Sequence, residues 1–450
     1  MCWAHRTLTL PFALCRQAGG RAGGGRSGQY YRAMRSNQIA ELDLTDGVLY
    51  RQGFPHELFR ELRAAGAVHH HPTVRILTNA HDGDVSFWSI VAHAEIARAN
   101  RDWQTFSAID GSGIAPTLAA RRGHTIVSMD PPEHSRLRRL ISAGFTPRMI
   151  AELEAHVSRR ADQIVTAAAE RGEVEFVADV AYQLPMHVIA DIMGIPDEDR
   201  PWVFARTDTM LRALDPTSGL DPAERLSAER DLFDYAQRLS AEKRDHPGDD
   251  IWTILTTAEV ASDDGDPTSL SELELDMFFI ILALAGSETT RNAISQGLMA
   301  LVAHPDQMQL LRDDPSILPS ATDEMIRWAS PVLYFGRTAT RDVEIGGASI
   351  PQGDRVVLWY PSGNRDDAAF ADPFRFDLRR NPNPHVSFGG GGPHYCLGAN
   401  LAKKEVSVIM RALLERFPRI EITGEPVWTG GGACSNVGVS VDKLPVHLYT

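Results

Sequence analysis

The stretch TSLSELELDMFFIILALAGSETTRNAISQGLMALVAHP, spanning about residues 269–304, limits the fold more than any other part of the chain. Ser269 with Glu272, or Ser271 with Glu274, offers a capping box at its start. The run Met277–Gly286 is apolar throughout. About ten such residues are too few to cross a bilayer, so the pattern predicts a helix buried in a protein core. Its middle, Gly286 to Thr290, contradicts that environment. Glycine and threonine weaken a helix interior, and a buried carboxylate at Glu288 costs several kcal/mol unless paired or hydrated. Either these residues form a solvated turn of a long helix, or they form a polar notch facing a cavity. The apolar run that leads directly into them favours the notch.

Helical periodicity dominates from about 131 to 330, in PEHSRLRRLISAGF, MIAELEAHVSRRADQIVTAAAE and AERLSAERDLFDYAQRLSAEKRD. HPTVRILTN and DVSFWSIVAH predict short strands, DVEIGGASIPQGDRVVLWY a small sheet, and VGVSVDKLPVHLY another hairpin. The class is mainly α with a small β part. Residues 34–450 read as one domain, with 207–222 as a loop-rich candidate lid. Residues 1–33 read as a disordered extension, or as an artefact of an early start codon upstream of Met34; a targeting peptide is the other reading.

The net charge is −14, from 59 acidic and 45 basic residues, which disfavours nucleic acid and anionic membrane as partners. The four cysteines, Cys2, Cys15, Cys396 and Cys434, show no disulfide framework, and a reducing cytoplasm is the simplest setting.

Cys396 stands in SFGGGGPHYCLGANLA. Zinc would need a second pair of ligands beside His394 and Cys396, and none is spaced for it. A phosphate loop would need a lysine after the glycines. A nucleophilic cysteine using His394 as base, and an inert structural thiol, both stay open. The glycines before Cys396 and the helix start LGANLAKKE after it favour a thiolate held by backbone N–H groups, the setting of an iron ligand beneath a flat apolar cofactor.

These residues resemble the haem-binding loop of the cytochrome P450 family. Phe388, Gly392, His394, Cys396 and Gly398 match its pattern counted back from the cysteine, with Phe388 eight residues before it where the common pattern has seven. The NPNPH…FGGGG version resembles an actinobacterial branch that oxidises sterol side chains and methyl-branched lipids. AGSETT is similar to the family's oxygen-activation motif, with Glu288 in the acid position, Thr289 in the alcohol position, and Ala285 and Gly286 leaving room for dioxygen. EMIR supplies Glu324 and Arg327 for the family's buried pair, which Arg375 of DPFRF would join. Notch, E-x-x-R and cysteine loop follow in the family's order, and the resemblance covers roughly 45–450.

The resemblance implies haem b between the long central helix and the helix after the cysteine loop, with Cys396 as axial ligand. DPPEHSRLRR, with Asp130 as N-cap and Pro131 at the first helical position, places His134 and Arg138 on one face. With Arg337 and His394 they would grip the propionates. Val332, Leu333, Tyr334, Asn436, Val437 and Val439 fall where the family contacts substrate, and SGNRD at 362–366 is structural. The implied activity is insertion of one oxygen atom from O2 into a C–H bond of an apolar molecule: a steroid, a sterol side chain or a branched fatty acid. Tailoring of a terpenoid or macrolide, and a haem protein without monooxygenase activity (peroxygenase, isomerase or sensor), are the alternatives. Electrons would come from NAD(P)H through a ferredoxin reductase and a ferredoxin docking against Arg136, Arg139, Lys403 and Lys404.

Overall fold

The central helix runs from Glu272 to Ala303, and its start is set by the second of the two candidate boxes. Ser271 accepts from the Glu274 N–H, while the Glu274 carboxylate accepts from the Ser271 N–H at 2.9 Å. The helix packs against Leu318–Ala329 and against Ala399–Arg416, the helix that follows the cysteine loop. Gly297 permits this: a Cβ there would lie 3.2 Å from Met410 and 3.3 Å from Met325. Leu298, Ile294, Met325, Ile409 and Leu413 are buried in the same core, each worth about 1.5–3 kcal/mol of transfer free energy.

The computed structural model describes residues 42–78, 81–117, 122–144, 147–213, 218–261, 267–429 and 435–450. The expectation for residues 1–33 lies outside them, as do Cys434 and part of the 207–222 segment. Within that segment, a helix Arg200–Arg212 ends and another, Pro222–Asp245, begins. Helices dominate, as the periodicity predicts. Among the described residues no helix is long and apolar enough to cross a membrane.

Among the described residues the β part is a five-stranded sheet and four smaller ones. From one edge the large sheet runs Val68–Thr78, His81–Ile90, Arg355–Trp359, Tyr334–Ala339 and Phe106–Ser107. Among the described residues its only parallel pair joins Arg355–Trp359 to His81–Ile90. The register shift between His71 and Val74 brackets Pro72 in the edge strand, where a missing N–H is tolerated. The C-terminal hairpin expectation fails. Val441–Lys443 pairs with Val427–Trp428, and Pro445–Tyr449 pairs with Arg419–Ile422 and Glu173–Glu175. Alternating apolarity specifies a strand and a buried face, not the partner.

Candidate functional site

All four glycines before the cysteine have positive φ: 99° at Gly389, 63° at Gly390, 110° at Gly391 and 80° at Gly392. Only glycine adopts such values without strain. The run also lies against helix His93–Arg101: a Cβ on Gly392 would meet the Asn100 carbonyl oxygen at 2.2 Å. The glycines are therefore needed both for their φ values and for this close approach. The turn closes with the Cys396 N–H donating to the Phe388 carbonyl at 3.0 Å, so the extra residue is absorbed within the glycines. Phe388 packs beside Tyr395 and His385, with the Lys403 ammonium over its ring.

Cys396 is accessible, yet its thiol is pushed up by loss of hydration, opposed by the Gly398 N–H and the Arg138 guanidinium. Cys396 is thus open on one side while enough protein surrounds its thiol to desolvate it. A Cβ on Gly398 would meet nothing within 4 Å.

Beside the sulfur the structure gathers the four expected propionate partners. The His134 and His394 rings lie 4.4 Å apart. Burial, then the charge of Arg138, holds His134 at about 4; burial, then Arg337, His134 and Arg138, holds His394 at about 2. Both imidazoles are thus neutral at pH 7 and serve as hydrogen-bond partners, leaving the positive charge to the arginines. Arg138 donates to the carbonyls of Pro393 and Tyr395, and buried Arg337 donates to Gly336 O at 2.8 Å. His134 Nδ1 and His394 Nε2 are buried without a hydrogen-bond partner among the described residues. Two orphaned ring nitrogens and two arginines brought together fit a bulky dianion such as a haem's propionates. Asp130 is not the N-cap: the helix spans Glu133–Ala143, and the Asp130 carboxylate instead accepts from Ser107 and from the Ala108 N–H.

On the central helix the notch divides. Ala285 is exposed and Thr289 half-buried, one turn apart on an open side, and the Thr289 hydroxyl donates to Ala285 O at 2.8 Å. Glu288 is 6% exposed and accepts from Arg291 at 2.5 Å. Acid and alcohol therefore occupy different faces, and the acid is ion-paired. Arg291, three residues on, carried no signal to distinguish it from a surface pair. Gly286 packs closely on Ile189: a Cβ there would lie 2.5 Å from the end of that side chain. The room at the open side comes from Ala285.

Glu324 and Arg327 are fully buried and joined by two 2.7 Å bonds. The third side chain on the pair is Arg380, whose Nε lies 3.1 Å from Glu324 Oε2. The expectation for Arg375 is corrected: its side chain is 65% exposed beside Asp377, and only its carbonyl joins the knot. DPFRF and DLRRNP each present arginines, and motif spacing could not choose between them. SGNRD is structural, as read: Asn364 donates to Ser330 and Ser387 and accepts from the Val386 N–H, tying the knot to the approach of the cysteine loop.

The candidate substrate segments meet. Leu333 N–H donates to Asn436 O at 2.8 Å, and the Asn292 side chain on the central helix donates to Val439 O at 3.1 Å. Leu333, Tyr334 and Val439 share one apolar cluster with Ile114, a residue the sequence did not single out. Val332, Asn436 and Val437 are half-buried. Of the cations expected to meet a redox partner, Arg136 is engaged with Glu274, Lys403 with Asp323 and Lys404 with Glu154.

Comparison with known proteins agrees with this arrangement. Residues 314–428 match the family profile described as Cytochrome P450. The chain is 38% identical over 408 residues to a steroid C26-monooxygenase of Rhodococcus jostii (strain RHA1), covering 89% of this chain and 84% of the relative. It is 39% identical over 379 residues to a methyl-branched lipid omega-hydroxylase of Mycobacterium tuberculosis, covering 82% and 86%. The solved Mycobacterium marinum cytochrome P450 CYP268A2, in complex with pseudoionone, superposes with a TM-score of 0.81 at 37% identity, covering 90% of this chain and 98% of that one. Fold, motif order and relatives thus converge: the chain belongs to the cytochrome P450 family of haem monooxygenases, in which a cysteine thiolate ligates the iron.

Proposed function

We propose that residues 34–450 form a monooxygenase domain that oxidises a long apolar substrate, a steroid, sterol side chain or branched fatty acid, with Cys396 as the iron ligand. The observation that carries this is the cluster in which an exposed Cys396 stands with two neutral imidazoles, each with one unpartnered ring nitrogen, and two arginines. When bound there, the haem supplies the activation of O2 that lets one oxygen atom enter a C–H bond.

The residues supply the rest. The loop amides and Arg138 favour the anionic form of the sulfur. His134 and His394 offer ring nitrogens, and Arg138 and Arg337 charge, to the cofactor's carboxylates. Thr289 presents its hydroxyl on the open side of the central helix, where it can hold a proton donor beside the reacting oxygen. Glu288 is the nearest carboxylate in sequence to that hydroxyl, and Arg291 must release it before it can pass a proton on. Val332, Leu333, Asn436, Val437 and Val439 line the substrate side, and the activities of the two relatives support a steroid or branched lipid there. Electrons come from NAD(P)H through a ferredoxin and its reductase, in the cytoplasm.

Thr289→Ala tests the oxygen-side assignment. The haem spectrum should be unchanged while product formed per NADPH falls and hydrogen peroxide rises; Thr289→Ser should restore most of the coupling. Glu288→Gln should slow product formation by roughly 10²–10⁴-fold, the usual contribution of a positioned acid. Wild-type coupling in Thr289→Ala removes that residue from the proposed role.

A further inference from the structure

Three backbone carbonyls converge on one buried cation. Arg355 is 6% exposed, and its guanidinium donates to Gly111 O at 2.5 Å, Gly113 O at 2.6 Å and Ile114 O at 3.2 Å, as well as to Thr338 Oγ1 at 3.1 Å. Among the described residues no carboxylate lies within ion-pair distance of it; Asp110 pairs with Arg122 instead. Burial, and then the neighbouring charge of Arg337, lowers the guanidinium to about 10, so it remains charged at neutral pH. A planar fork of five donors suits several fixed acceptors in a way that a lysine does not.

The segment held, 111–117, contains no helix or strand. Among the described residues its other backbone ties are Gly111 N–H to Ala108 O at 2.9 Å, Gly336 N–H to Ser112 O at 2.8 Å, and Thr117 N–H to Asp110 O at 2.7 Å. The strand opposite is shaped for the contact. A Cβ on Gly336 would lie 2.1 Å from Gly113 O and 2.3 Å from Arg355 Nη2, so glycine is required for the close approach. The held segment inserts buried Ile114, with Ala115 packed beside it, into the cluster that contains Leu333, Tyr334 and Val439.

We infer that Arg355 is a positioning residue for substrate: it fixes 111–115 against the strand Tyr334–Ala339, sets one wall of the substrate pocket, and thereby sets affinity and selectivity without touching the reacting atoms. This deepens the proposed function and rests on its reading of 332–334 and 436–439 as the substrate side.

The test compares the wild type with Arg355→Met, Arg355→Lys and Gly336→Ala in two measurements. Hydrogen–deuterium exchange over 108–117 reads the clamp without reference to substrate. Spectral titration of the haem-loaded enzyme with testosterone and with pristanic acid reads affinity. Arg355→Met should exchange faster in that segment and bind the probe at least tenfold more weakly, with haem content and the ferrous–CO band unchanged. Arg355→Lys should recover part of both effects. Should Arg355→Met fail to load haem, Gly336→Ala carries the test, because it displaces the same segment from the other side. Unchanged exchange in both variants overturns the clamp, and faster exchange with wild-type affinity overturns the positioning role. If the wild type binds neither probe, the substrate reading fails, while the exchange measurement still decides the clamp.

Discussion

Replacing Cys396 with serine is expected to leave a folded chain whose reduced, carbon monoxide-bound form lacks the red-shifted absorption of thiolate-ligated iron, and to abolish monooxygenase turnover. The fold should survive because the loop does not depend on the sulfur. Its shape comes from four positive-φ glycines, from the Cys396 N–H bonded to Phe388 O, and from Arg138 holding two loop carbonyls; serine keeps all of these. What serine removes is the soft, electron-rich sulfur. The alcohol that replaces it is far harder to deprotonate and cannot push charge toward the iron in the same way. His134, His394, Arg138 and Arg337 remain, so some haem should still bind, and the experiment separates ligation from cofactor capture. Retention of the thiolate-type band in Cys396→Ser would refute the ligand assignment.

Glu324→Ala should be the most destabilising single change outside the haem site. Its carboxylate accepts from Arg327 Nε and Nη2 at 2.7 Å each, from Arg380 Nε, from the Asp377 N–H at 3.0 Å and from Asn383 at 3.2 Å. Truncation leaves the Arg327 charge, fully buried, with only carbonyl oxygens of Asn364, Pro373 and Arg375 as partners. Breaking such a pair from one side costs about 3–5 kcal/mol, a large part of the ~5–15 kcal/mol that holds a typical domain together. The same change in an exposed i,i+3 pair would cost less than about 1 kcal/mol. Urea unfolding monitored by tryptophan fluorescence provides the measurement. Glu324→Gln, which keeps an acceptor, should fall between the two. A wild-type midpoint for Glu324→Ala would show that the network is not what holds the meander 364–383 in place.

Much of this was legible in the chain, because it rests on local rules. The Ser271–Glu274 box, the apolar run of the central helix and the glycines before Cys396 each encode their geometry within a few residues. The failures share one cause. Arg380 displaced Arg375, Arg291 engaged Glu288, and Gly286 proved to face Ile189. Each depends on which side of a loop or helix faces a distant segment, and a motif read along the chain does not contain that information. Asp130 failed similarly: a good N-cap residue was already committed to Ser107 and Ala108, more than twenty residues earlier in the chain. The C-terminal strands alternate as strands should, but their partners lie at 173–175, 419–422 and 427–428, beyond the reach of periodicity.

The bond from Asn292 to the Val439 carbonyl has a genetic consequence. The segment around Val439 is anchored to the helix that bears 288 and 289, and the strand Pro445–Tyr449 buries Val446 and Leu448 between two others. A stop codon ahead of residue 439 therefore removes interior material and part of the pocket together, so nonsense alleles at or before that position should behave as nulls rather than as mild truncations.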